Sequence, residues 1–145
     1  MRVVLSCAMV LAATLFVRAQ CIPPGHVAHE FGKVKRSALI GHLDIVFGVV
    51  ADEPGSSAVA YVGMSAGPAN REKVRRVRSI LNAIDVRGYD RSRIVFVLDT
   101  RAKWERTVLW VVPVSSEISK DCAENFVVIR GDQMPKNLNS VIARH

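Results

Sequence analysis

Residues 70–98 read NREKVRRVRSILNAIDVRGYDRSRIVFVL, a basic amphipathic helix that stops at a glycine and turns into a strand. Val74, Val77, Leu81 and Ile84 recur at three- and four-residue spacing, which puts them on one helix face. Arg71, Arg75 and Arg78 occupy the opposite face. Asn70 is placed to cap the helix, because its side chain can accept from an early N–H. Gly88 ends the helix, and residues 89–92 lead into Arg93-Ile94-Val95-Phe96-Val97-Leu98, where β-branched and aromatic side chains suit a strand.

Working toward the N-terminus, Ala58-Val59-Ala60-Tyr61-Val62-Gly63 is a short apolar run that suits a strand buried on both faces in a central position. A loop over 64–69 holds Gly67 and Pro68. Before the strand, Ser37 is placed to cap a helix whose apolar face is Ala38, Leu39, Leu43, Val46, Phe47 and Val50 and whose end is Asp52-Glu53-Pro54-Gly55. Pro23-Pro24-Gly25 marks an arm, with a short strand expected over 31–34. Toward the C-terminus, Arg106-Thr107-Val108-Leu109-Trp110-Val111-Val112 reads as a strand closed by Pro113. Beyond it only 125–129 suggests a strand, and the polar tail shows no sustained period. The order strand, helix, strand, helix, strand, strand predicts an α/β (α+β) fold, a two-layer sandwich of a small mixed sheet with two helices on one face. The expected division is an arm at 20–35, a core domain at 36–114 and an extension at 115–145.

Residues 1–19 read as an export signal. Arg2 precedes an apolar run over 3–17, and Val17-Arg18-Ala19 supplies compact residues at a cleavage site near Ala19. The run is shorter than the ~20 residues a membrane-spanning helix needs, so no anchor is expected after cleavage. The chain of 145 residues would then leave about 125, one domain's worth, and half its residues are apolar. Its net charge is +7, and loss of Arg2 and Arg18 would leave it basic at +5. A basic exported protein is drawn to anionic envelope polymers or acidic head groups, with an attraction that salt weakens.

Of the three cysteines, Cys7 lies in the signal. Cys21 and Cys122 remain, and in an oxidising compartment one disulfide between them is expected, closing a loop of ~100 residues and contributing about 2–4 kcal/mol. Lipidation of Cys21 is the alternative, disfavoured by the bulk of Gln20.

The segment 61–112 resembles the C-terminal half of an OmpA-like domain, the peptidoglycan-associating module of bacterial envelope proteins. The resemblance rests on a strand ending at Gly63, an Asn-led helix with Arg75-Arg76 followed by Val77, Ile80, Leu81 and Ile84, and Gly88 followed by Arg93-Ile94. Arg76 stands twelve residues before Gly88, the family's spacing for its ligand arginine. That family pairs the arginine with an aspartate just after the strand glycine, and the two grip the charged ends of diaminopimelate. Here Met64, Ser65, Ala66 and Gly67 follow Gly63, so the aspartate is missing. The resemblance implies a half-site of Arg76 with Gly67, Asn70 and Arg75, taking a carboxylate of peptidoglycan or of another anionic wall component. It equally implies a module that kept the fold, lost the site and binds an envelope protein.

Other chemistry has less support. His26, His29 and Glu30 lack the metalloprotease spacing and an obvious third ligand, so no metal is expected. The serines have no nucleophile elbow, Gly63 and Gly67 form no phosphate loop, and neither an enzyme nor a cofactor is expected. The basic helix face, Lys73 included, suits anions, but no aromatic platform or nucleic-acid motif accompanies it, so nucleic acid is not an expected partner. Trp110 reads as core and Trp104 as surface.

Overall fold

The computed structural model of the chain describes residues 25–63, 69–102, 105–114 and 126–144. Its elements run β1 (His26–Phe31), α1 (Arg36–Asp52), β2 (Ser56–Gly63), α2 (Ala69–Arg87), β3 (Ile94–Asp99), β4 (Arg106–Pro113), β5 (Phe126–Arg130) and a short α3 (Leu138–Ile142). The strands form one mixed sheet in the order β1-β4-β2-β3-β5. β2 and β3 are parallel, and every other neighbouring pair is antiparallel. No described helix is long and apolar enough to cross a membrane.

The apolar run 58–63 lies at the sheet centre because both its faces are covered. Ala58, Ala60 and Val62 join the larger cluster with Ile94, Phe96, Leu98 and Leu109, and this cluster takes in the buried residues of both long helices. Leu43, Val46, Val77, Ile80 and Ile84 are fully enclosed there, and burying each such side chain is worth about 1.5–3 kcal/mol. The opposite face carries a smaller cluster of Val59, Tyr61, Val97, Val108, Trp110 and Val112. Trp110 is a core residue, as its strand context predicts.

Polar side chains lock the helices to each other. Asp44 of α1 takes two hydrogen bonds from Arg87 of α2, both at 2.8 Å, and one from the Tyr89 hydroxyl at 2.6 Å. The Tyr89 ring stacks on Phe47, centroids 4.5 Å apart. Arg93, part of the motif before β3, donates to the carbonyls of Val50 and Ser56 at 2.9 and 2.7 Å, and so satisfies groups at the end of α1 and the start of β2. α2 ends at a glycine for a steric reason. Gly88 has φ +70°, its N–H reaches Asp85 O at 3.1 Å and the Tyr89 N–H reaches Ile84 O at 3.0 Å, the paired bonds of a Schellman motif.

Several local expectations shift. α1 starts at Arg36 with Lys35 at the N-cap and no side-chain cap bond, so Ser37 lies inside the helix. α2 starts at Ala69, so Asn70 belongs to its first turn and does not precede it. The arm's strand is His26–Phe31, earlier than 31–34, because main-chain pairing with β4 from Val111 to Thr107 defines it, with a register irregularity between Val27 and His29. From the extension comes β5, paired with β3 from Asp99 to Val95, and Leu138 and Ile142 of α3 are buried in the larger cluster. The stretches 20–35 and 115–145 thus each supply an edge strand of the same sheet. The stretch 1–19, read as an export signal, and Cys21, Cys122, Gly67 and Trp104 lie outside the described residues.

Candidate functional site

The buried stripe of α2 includes two cations, Lys73 at 2% exposure and Arg76 at 9%, beside Val77 and Ile80. Both sit near the start of the helix, over the end of the sheet where β2 and β3 finish and β4 begins. Both terminal nitrogens of Arg76 are engaged by its own chain. Nη1 donates to Gly32 O, just after β1, and to Thr107 Oγ1 at 3.4 Å, while Nη2 donates to Glu105 Oε1. Glu105 keeps 41% of its side chain exposed, whereas Thr107 is fully buried. The arginine that the resemblance singles out therefore ties α2 to the ends of β1 and β4.

Arg75 points the other way. Its side chain is 72% exposed and meets only Glu72 among the described carboxylates, at 3.4 Å. Arg71 and Arg78 are exposed on the same side, and with Ser79, Asn82 and Asn139 the three arginines line an open groove of about 440 Å³. A recess of about 120 Å³ between α2 and the end of β1 adjoins it, edged by Lys33, Arg75 and Arg76. Arg75 and Arg76 thus share the edge of this small recess, while Arg75 also lines the basic groove and Arg76 closes the clasp.

Sequence reasoning missed a polar cluster at the same sheet end. Register places Asp99 beside Gly63. Asp99 Oδ2 accepts from the Tyr61 hydroxyl at 2.5 Å and Oδ1 from the Arg101 N–H at 2.8 Å. The Arg106 guanidinium lies 5.4 Å from the centroid of the Tyr61 ring and 3.5 Å from Glu30. Burial, followed by the bond to Asp99, pushes the Tyr61 phenol up to about 12. A Cβ on Gly63 would stand 2.9 Å from Tyr61 Cε1 and 3.0 Å from its hydroxyl, so a larger residue here requires the Tyr61 ring to shift. Lys73 is the other unforeseen feature. Burial lowers its pKa, the Asp99 charge opposes that shift, and among the described residues the ammonium has no hydrogen-bond or ion-pair partner. For Lys73 the signal present in the sequence is a charged residue at a core-facing position of the helical stripe.

The histidines form a smaller group. His42 of α1 stacks on Phe31 at 4.6 Å and lies 4.6 Å from His29, and burial followed by the His29 charge lowers its pKa. No group of three or more metal-ligating side chains forms among the described residues. Compared with protein-family models, with curated proteins and with solved structures, the chain matches none.

Proposed function

We propose that this chain is a noncatalytic cell-envelope module, a two-layer sandwich related to OmpA-like domains, that associates with an anionic wall polymer through the outer face of α2. The observation that carries the reading is the groove of Arg71, Arg75 and Arg78, three exposed guanidiniums on successive turns with one carboxylate at ion-pair distance among the described residues. Such forks suit repeated carboxylates or phosphates, and the basic balance of the chain adds long-range attraction. The helix arginine, the Gly88 turn and the Arg93-Ile94 entry to β3 support the relationship. Export rests on the reading of residues 1–19.

A second reading has its own support, a partner-binding module that retained the fold. Glu105 sits on Arg76 where a ligand carboxylate would have to bind, and the only carboxylate beside Gly63, that of Asp99, is held by Tyr61 and Arg101 among the described residues. Co-sedimentation with purified peptidoglycan and with a soluble polyanion, at low and moderately high salt, separates the two. The groove reading expects retention that the combined change R71Q, R75Q and R78Q removes. Equal retention of the wild type and the triple variant, or none by either, would favour the second reading.

A further inference from the structure

We propose that β1 is an acid-released latch, held on α1 through the contact of His29 with His42 and freed when both imidazoles carry a proton. Three of the chain's four histidines, His26, His29 and His42, lie at this junction. β1 pairs His26 with Val111 and His29 with Leu109, and the register irregularity between Val27 and His29 leaves both histidines on the sheet face that Val111 and Leu109 share with the helices. The His42 ring of α1 lies parallel to that of Phe31, within 4°, and its centroid stands 4.6 Å from that of His29. β1 is a margin of the sheet with β4 as its one strand neighbour. Beyond that ladder it is secured by Phe31 and His29 on α1 and by the bond from Arg76 to Gly32 just after it.

Among the described residues the surroundings give this pair no counter-charge. The helix-side residues of β4 are Thr107, Leu109 and Val111, and those of β2 are Ala58, Ala60 and Val62, none of them titratable. On β1 itself, Glu30 lies on the other face with Arg106. α1 carries Arg36 and Asp52, both exposed, and Asp44, which Arg87 and Tyr89 from the α2 side hold. α2 also brings Arg76, paired with Glu105, and the loop after β1 adds the exposed cations Lys33 and Lys35. Glu53 shares a cleft with His26, not with His29 or His42. A proton on each ring therefore sets two cations side by side in partly buried surroundings, where their repulsion is poorly screened. Burial, followed by the His29 charge, lowers the His42 pKa from its ordinary 6.5, so the docked strand binds fewer protons than a released one. Docking is complete above about pH 6.5 and weakens as pH falls below it. Release leaves the margin of β4 open to another strand.

The test is amide hydrogen exchange of the full chain at about pH 7.5 and about pH 5.5, with EDTA present and with protection corrected for the intrinsic exchange rate at each pH. The expected result is a loss of protection over 26–31 of about tenfold or more at the lower pH, while the interior strands β2 and β3 keep theirs. His42→Phe keeps a ring against Phe31 and has no proton to gain, so it should abolish the loss. His29→Gln removes the second charge from the other element and should shrink it, which keeps the test open should one variant fold poorly. His26→Gln, at an exposed position, should leave it unchanged. No loss in the wild type, a loss of wild-type size in either His42→Phe or His29→Gln, or a fall spread evenly over all five strands would overturn the latch. So would a loss that His26→Gln alone abolishes.

Discussion

Replacing Arg76 by methionine probes the clasp most directly. The aliphatic stem is kept, so the change isolates the guanidinium. Thr107 Oγ1, fully buried, and Gly32 O then lose a charged donor, while Glu105, 41% exposed, can turn to water. Breaking a fully buried pair costs about 3–5 kcal/mol, and hydrogen bonds to a charged group contribute about 1.5–3 kcal/mol each. Because one partner of Arg76 regains solvent, the expected loss is about 2–3 kcal/mol. At roughly 4 °C per kcal/mol for a domain of this size, the melting temperature should fall by about 8–12 °C. Glu105→Gln retains an acceptor and should cost less than about 1 kcal/mol. Urea unfolding with an unchanged m-value is the assay. An Arg76→Met protein within about 0.5 kcal/mol of wild type that nevertheless loses wall association would refute the reasoning, because the guanidinium would then serve a ligand and not the fold.

Other outcomes follow from particular contacts. Tyr61 has a folded-state pKa raised to about 12 from 10, so its contribution is present in full below pH 10 and fades as pH rises through 12. A two-unit shift corresponds to about 2–3 kcal/mol, and denaturation at pH 9 and pH 11.5 should show a smaller alkaline loss in Tyr61→Phe than in wild type. The chain has two tyrosines, both shifted upward, so absorbance at alkaline pH should show both phenols ionising above the ordinary value while the protein is folded, Tyr61 the later of them near 12. Gly88→Ala meets no atom within 4 Å, so its cost is conformational alone, about 1–2 kcal/mol by chemical denaturation, and Gly88→Asn should cost less. Gly63→Ala should push the Tyr61 ring off Asp99, and a lowered phenol pKa in the alkaline titration would report it.

The parts of the fold that were legible share a physical basis. α2, its glycine stop and the doubly buried β2 announce themselves through periodicity and turn chemistry, which are local. β1 was misplaced because an edge strand is defined by main-chain pairing with β4 some 80 residues away, and His26-Val27-Ala28-His29-Glu30-Phe31 shows no alternation of polarity. The site was harder to read. Arg76 was identified by spacing, but its three intramolecular acceptors come from the loop after β1, from β4 and from the residue before β4, which no helical pattern reveals. Lys73 reads from the sequence as one more member of the basic face, and nothing local to Asp99 reveals that register sets it beside Gly63.

The two outer strands bear on how the protein can be made and cut. β1 and β5 occupy opposite margins of the sheet, and the other three strands and both long helices lie between them in the chain. While the polypeptide is being synthesised, the free margin of β3 waits for residues 126–130, so a half-made chain presents an unpaired, apolar ribbon that invites self-association. A fragment trimmed to 36–114 would carry that condition permanently on both sides. It should precipitate or pair with itself, and a usable expression boundary falls outside His26 and Ile142.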